Sequence, residues 1–260
     1  GTQTQLEEAL QEEEDIVPEN RNDWKEVNNY VEALNSAIAS LNSLPLSNRL
    51  LRQTHKILLQ GARGERKNPG EFRTSQNWIG GATLTDAVFI PPSHNEVPEL
   101  MSDLEKFLHN TEIHVPHLIK VAIAHYQFET IHPFLDGNGR LGRLLISLYL
   151  VDNEVLEKPL LYLSDFFNKN RLIYFDKLTL VRTQNDLRQW LIFFLVAIIE
   201  TTQKATTTLQ SIAKLRETSE AKIIELGKRA PNGKKLLDHL YSNPLIKTND
   251  VEKLLEVSAK

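Results

Sequence analysis

Ile131-His132-Pro133-Phe134-Leu135-Asp136-Gly137-Asn138-Gly139-Arg140-Leu141-Gly142-Arg143 is the stretch on which both the fold and the chemistry turn. Upstream, His117 to Ile131 is an apolar helical run that must stop at Pro133, whose ring cannot continue a helix. A polar Gly-Asn-Gly turn follows. A second helix then starts at about Arg140, with Leu141, Leu144, Leu145 and Leu148 on its core side. The turn therefore lies at a helix N-terminus. Such an end exposes N–H groups without intrahelical acceptors and the positive end of the helix dipole, and Gly137 and Gly139 let the backbone close around an anion. Arg140 and Arg143 are three apart in the first turn, where cations oppose the dipole unless an anion sits between them. Asp136 is a hard oxygen ligand just before this cradle, suited to a Mg²⁺ that also takes phosphate oxygens. His132, at the preceding helix end, is placed to take a proton from an incoming hydroxyl. Phe134 is expected to point inward and fix the loop.

Taken one at a time, each residue has a plainer reading. A lone histidine at a helix end is commonly a cap, an aspartate before glycine a turn former, and two arginines solvated surface charge. Their convergence on one short loop is what points to phosphate chemistry.

Around this centre helical periodicity dominates. Glu26 to Leu41 carries an apolar stripe, Ser47 caps a helix from Asn48 to Gln60, and Gly61 to Gly70 reads as loop. Asn77 to Ile79 and Ala87 to Ile90 read as a small β-hairpin that Pro91-Pro92 keeps from widening into a sheet. Further helices are expected over Glu96–His109, Lys169–Arg182 and Asp186–Lys228, the last with a break near Thr206–Thr208. Beyond Pro231-Asn232-Gly233 come Lys234–Ser242 and Thr248–Glu256. The fold class is all-α with one small β-hairpin flap. The expected organisation is an N-terminal segment over 1–25, a catalytic domain over 26–228 and a partial winged-helix or helix-turn-helix-like tail over 229–260.

Composition narrows the function classes. The 260 residues are 41% hydrophobic, carry a net charge of −4 and contain no cysteine. Disulfide scaffolds and thiolate metal sites are thereby excluded, and a broad nucleic-acid or membrane surface is not expected. The apolar run Trp190–Ile199 is about half of the roughly 20 residues that cross a bilayer. A cytoplasmic protein is expected. Gly1-Thr2, without Met or a leader pattern, reads as a boundary with sequence missing upstream.

The quoted stretch resembles the Fic signature H-x-F-x-D/E-G-N-G-R-x-x-R, with every specified position filled. The likeness extends to Pro69-Gly70-Glu71-Phe72-Arg73, Asn77-Trp78-Ile79-Gly80-Gly81 and Phe89-Ile90-Pro91-Pro92, and covers about Glu26 to Ile199. It implies a mostly helical fold and transfer of AMP from ATP, with Mg²⁺, to a Tyr, Thr or Ser hydroxyl of a protein target. On that resemblance His132 is the general base and Asp136 the metal ligand. Gly137, Asn138 and Gly139 cradle the phosphates, with Asn138 nearest the α-phosphate, and Arg140 and Arg143 contact the β- and γ-phosphates. Leu141 and Gly142 belong to the same nucleotide-contacting run. The flap, about Thr85 to Ile90, would pair with the target segment, Val88 and Phe89 would border the nucleotide, and Tyr174 and Phe175 the adenine. Relatives with this type of N-terminal region carry an inhibitory Ser/Thr-x-x-x-Glu-Gly helix whose Glu pairs with the last signature arginine. Gly1 to Leu10 resembles the segment just C-terminal to that Glu, so the chain is expected to lack this brake at Arg143. Self-modification and a homodimer are further expectations.

Three other readings compete. The loop recognises phosphate, so UMP, phosphate or phosphocholine are alternative groups for transfer. The tail raises a DNA-binding regulator, although this segment alone is not expected to bind DNA. A metal hydrolase built on His125, His132 and Asp136 leaves the Gly-Asn-Gly cradle unexplained.

Overall fold

The computed structural model describes residues 9–11 and 13–257 of the chain, and helices account for nearly all of its regular structure. In chain order these are α1 (Arg21–Leu41), α2 (Asn48–Leu58), α3 (Val97–His109), α4 (His117–Ile131), α5 (Asn138–Asp152), α6 (Ser164–Lys169), α7 (Arg171–Gln184), α8 (Leu187–Ile224), α9 (Ala230–Ser242) and α10 (Thr248–Leu255). The segment Gly1–Leu10, likened to the sequence after an inhibitory glutamate, falls largely outside the described residues. Lys25–Thr202 form one compact unit, and the described parts of 9–24 and 203–257 belong to a second.

In the first unit α4 and α5 pack most extensively on one another. Both are apolar around most of their circumference, which only a helix in the middle of a core tolerates. Leu141, Leu144, Leu145, Ile146 and Leu148 on α5 and Val121, Ala122, Ala124, Phe128 and Ile131 on α4 are fully buried. At about 1.5–3 kcal/mol for each large aliphatic or aromatic side chain removed from water, this pair is the energetic centre of the fold. Amphipathic α1, α2 and α3 cover it with Tyr30, Ala33, Leu50, Leu58, Met101 and Leu104. On another side, Trp190 and Phe194 of α8 join Phe167, Tyr174 and His125 in an aromatic cluster.

Several boundaries differ from the sequence reading for identifiable reasons. The hairpin is reduced to one antiparallel bridge, Ile79 with Phe89, and no strand occurs among the described residues. Gly80 and Gly81, both with φ near +70° (71° and 72°), turn the chain away immediately after Ile79. At the tip, Asp86 accepts from the Thr83 and Ala82 amides at 2.6 and 2.9 Å and closes a one-turn 3₁₀ helix, Leu84–Asp86. The expected helix Lys169–Arg182 is α7, Arg171–Gln184, and a short helix that the sequence reading did not include, α6, precedes it and stops at Asn170, whose amide side chain donates to the Phe166 carbonyl at 3.0 Å. No break occurs at Thr206–Thr208: the hydroxyls of Thr207 and Thr208 donate at 3.0 Å to carbonyls four residues back, so the helix accommodates them. In the second unit Pro231-Asn232-Gly233 lies inside the first turn of α9, where a proline sacrifices no hydrogen bond. Lys234 there bridges Glu220 and Asp238, both at 2.8 Å.

No helix among the described residues is long and apolar enough to cross a membrane.

Candidate active site

The loop between α4 and α5 is built by two chain interruptions. Pro133 ends α4 and leaves His132 as its C-cap in the left-handed region, φ 49° and ψ 60°, its N–H still donating to Phe128 at 2.9 Å. A non-glycine residue holds such a conformation only where its surroundings enforce it. Gly137 then caps α5 with φ 77°, and a Cβ there would lie 3.2 Å from the His55 Nε2, so the position admits glycine alone.

The surroundings that enforce this loop come from other elements, and sequence reasoning did not identify them. Arg73 is 2% exposed and donates to the carbonyls of His132 at 3.0 Å, Pro92 at 2.5 Å and Ser75 at 3.2 Å. Asn77 donates to the carbonyls of His132 and Phe134, at 3.2 and 3.0 Å. His55 accepts from the Gly70 amide at 2.8 Å, and its Nε2 donates to the Asp136 carbonyl at 2.9 Å. Burial pushes His55 down to about 4, which keeps it the neutral imidazole this pairing needs. Phe134, fully buried as expected, stacks on the His55 ring at 3.8 Å. The available signal was that Arg73 and Asn77 lie in two of the segments that extend the family likeness before the signature; nothing in the sequence marked His55.

Asn138 is part of the same scaffold. Its side chain accepts from the Phe134 amide at 2.9 Å and donates to the Phe134 carbonyl at 2.8 Å, leaving its backbone to meet a ligand. The first helical bond of α5 is Leu141 N–H to the Gly137 carbonyl, so the amides of Asn138, Gly139 and Arg140 precede the hydrogen-bonded ladder. Asp136 is partly exposed at the rim, accepting from the Gly137 amide at 2.5 Å.

The two arginines are treated differently. Arg140 lies 3.4 Å from Asp136 and 3.3 Å from Glu26, a carboxylate on α1 that is 3% exposed and also pairs with Arg63 at 3.1 Å. Glu26 was legible in principle, because it continues the buried stripe of Tyr30, Ala33 and Ala37 with a charge. Arg143 has a buried Nε without a hydrogen-bond partner. His132 is 21% exposed at its side chain, and burial, the largest influence, pushes it down to about 4. It is therefore a neutral imidazole at physiological pH, able to accept a proton.

Other expected site residues lie elsewhere. Leu141 is fully buried in the core with its amide already bonded, and the Gly142 carbonyl accepts from His125 at 2.9 Å, so both pack inward instead of facing the loop. Tyr174 is 7% exposed, with its hydroxyl 3.0 Å from the other nitrogen of His125, which makes it a core residue behind the site. The same two bonds commit both nitrogens of fully buried His125, which removes it as a metal ligand. Phe175 is 39% exposed, with the Arg171 guanidinium 5.7 Å from its ring centre. On the flap Val88 is 72% exposed, and Phe89 lies under the Arg182 guanidinium at 3.7 Å. Arg182 also donates to Thr130 at 3.3 Å, which ties the flap to the end of α4.

A left-handed histidine, a helix-N-terminal Gly-Asn-Gly and two arginines on the following turn form one site, and sequence comparison agrees with that geometry. The profile of the Fic/DOC family matches residues 45–150, and that of the Fic/DOC family N-terminal region matches residues 1–39. The chain belongs to the Fic/DOC family. Among curated Fic relatives, the protein adenylyltransferases Fic of Drosophila erecta and Aedes aegypti are each 40% identical over 83 residues, 32% of this chain. The matched segment spans 15% of the length of those relatives. A solved Fic family protein from Desulfovibrio desulfuricans G20 superposes with a TM-score of 0.62 at 25% identity, covering 92% of this chain and 64% of that one. A Fic-1 fragment from C. elegans, at 21% identity and a TM-score of 0.60 over 81% of this chain and 60% of its own, shares the Fic fold.

Proposed function

We propose that this Fic chain is a protein adenylyltransferase that moves AMP from ATP onto a hydroxyl side chain of a protein, with pyrophosphate leaving. The observation that carries the reading is the placement of a neutral, partly exposed imidazole six residues before the first residue of a helix, Asn138, whose first amides are uncommitted. Transfer at phosphorus needs positioning and charge neutralisation more than covalent chemistry from the protein, and these parts supply both.

The amides of Asn138, Gly139 and Arg140 would receive phosphate oxygens, and the unpartnered Nε edge of Arg143 offers a further donor. His132 would accept the hydroxyl proton as the target oxygen bonds to the α-phosphorus and the bond to pyrophosphate breaks. A Mg²⁺ ion fits the donor set, since a single rim carboxylate with phosphate oxygens and waters is the way this metal is usually held. It would be bound by Asp136 and would supply charge neutralisation. Arg140, already shared by Glu26 and Asp136, would fix the carboxylate and contribute field more than a new bond. The exposed flap residues Val88 and Ile90 would receive an extended segment of the target, held in line for attack.

The test is incubation of the purified chain with Mg²⁺ and either α-labelled or γ-labelled ATP, beside His132→Ala. Label entering protein from the α position alone, and lost in the variant, is the expected result. Label from the γ position would mean phosphate transfer and would overturn the AMP reading.

A further inference from the structure

Between the end of α4 and the first turn of α5 lies a buried carboxyl group that has no role in the transfer chemistry assigned to His132, Asp136 and the cradle. Glu129 is 6% exposed, and its Oε1 has no hydrogen-bond partner. Its Oε2 is 3.9 Å from the His132 Nδ1, which is itself buried without a partner in strict hydrogen-bond geometry, although the Glu129 backbone carbonyl also acts on the ring. On the other side, Oε1 sits against the floor of the phosphate cradle. A Cβ at Gly142 would lie 2.5 Å from that oxygen, so a larger residue there would displace the carboxyl. A Cβ at Gly139 would be 4.0 Å from the same oxygen and 3.3 Å from the Arg143 Nη1. Arg143 is accordingly the strongest charge acting on Glu129, followed by Arg182.

A buried carboxyl with an unmade hydrogen bond is destabilising and is ordinarily replaced by an apolar side chain. Here it stands 3.9 Å from another unsatisfied polar atom, the Nδ1 of the base, and the Arg143 charge also acts on it. We propose that Glu129 is a positioning residue for the transfer reaction, turning the Nδ1 edge of His132 inward so that Nε2 faces the substrate. The role in transfer rests on the adenylyltransferase reading; the orientation of the ring does not. The charges of Arg182, Arg73 and Asp136 also act on the imidazole, and the Glu129 carboxyl is the carboxylate found within 4 Å of its Nδ1, placed to select the tautomer.

Two measurements test this on the full chain. In long-range ¹H–¹⁵N spectra, with the His132 ring assigned by its disappearance in His132→Ala, the wild type is expected as the Nδ1–H tautomer. Glu129→Leu should give a mixture; an unchanged His132 ring in that variant overturns the proposal whether or not the protein transfers AMP. In α-label transfer, Glu129→Gln, which conserves size, should lower kcat about 10- to 100-fold while KM for ATP changes less than about threefold, and Glu129→Asp should restore part of the loss. A kcat within about twofold of wild type in Glu129→Gln, or a loss confined to KM, overturns the positioning role. A wild type that transfers no AMP refutes the adenylyltransferase reading and leaves the ring spectra to decide the orientation.

Discussion

Arg73→Met should destabilise the first unit by about 3 kcal/mol. Methionine conserves much of the arginine stem but none of its donors. The guanidinium it removes serves three carbonyls at 2.5 to 3.2 Å, and a fourth contact to Ile131, at 3.4 Å, is too long to add much. A hydrogen bond from a charged donor contributes about 1.5–3 kcal/mol, and the short ones to His132 and Pro92 dominate. The guanidinium's own desolvation cost disappears with it, which offsets part of the loss and brings the net to about 3 kcal/mol. Against a typical total of about 5–15 kcal/mol, the shift in urea midpoint is large. Trp190, fully buried in the same unit, supplies the fluorescence signal. Arg73→Lys, which keeps the charge but serves fewer acceptors, should fall between the two. The reasoning is refuted if Arg73→Met unfolds within about 0.5 kcal/mol of wild type at an unchanged m-value, because the clasp would then be replaceable by water or by chain relaxation.

Phe134→Ala empties a fully buried site beside His55 and Phe72 and should cost about 3–5 kcal/mol in the same assay, with Phe134→Leu recovering most of it. Acidification should also destabilise the protein. Burial pushes His55, His125 and His132 down from 6.5 to about 4, so the unfolded chain takes up protons first, and their contribution is complete above pH 6.5 and lost as pH falls through 4. Glu129 runs the other way, since burial raises it from 4.5 to about 7 and its contribution is complete below pH 4.5 and lost as pH rises through 7. Each displacement corresponds to about 3 kcal/mol, so three histidines against one glutamate leave a net loss of about 6 kcal/mol between pH 7 and 4. Urea titrations at pH 7 and 4.5 read it directly, and greater stability at the lower pH would contradict the assignment.

Much of the fold is legible because helix periodicity and punctuation are local. The end of His117–Ile131 follows from Pro133 and its apolar run, and Ser47 caps α2 through its hydroxyl, which accepts from the Leu50 amide at 3.4 Å. The hairpin was overread because extended residues were visible while the two left-handed glycines that end their pairing depend on the folded backbone. Tyr174 and Leu141 looked like site residues by their place in the chain. A helix presents neighbouring residues to opposite sides, however, and only packing against His125 and the core shows which side each one faces.

The sequence alone determined that a histidine, an aspartate and two arginines would meet at one helix N-terminus, because they lie within twelve consecutive residues and proline and glycine dictate the turn between them. The tertiary structure decided what holds that turn and what surrounds its charges. Arg73, Asn77 and His55 reach it from distant segments, Glu26 arrives on α1 to share Arg140, and Glu129 comes to lie under the cradle because Gly142 leaves the space. The physical reason is the range of the forces involved: steric limits on the backbone act between neighbours in sequence, whereas burial and the hydrogen bonds that satisfy it act between neighbours in space.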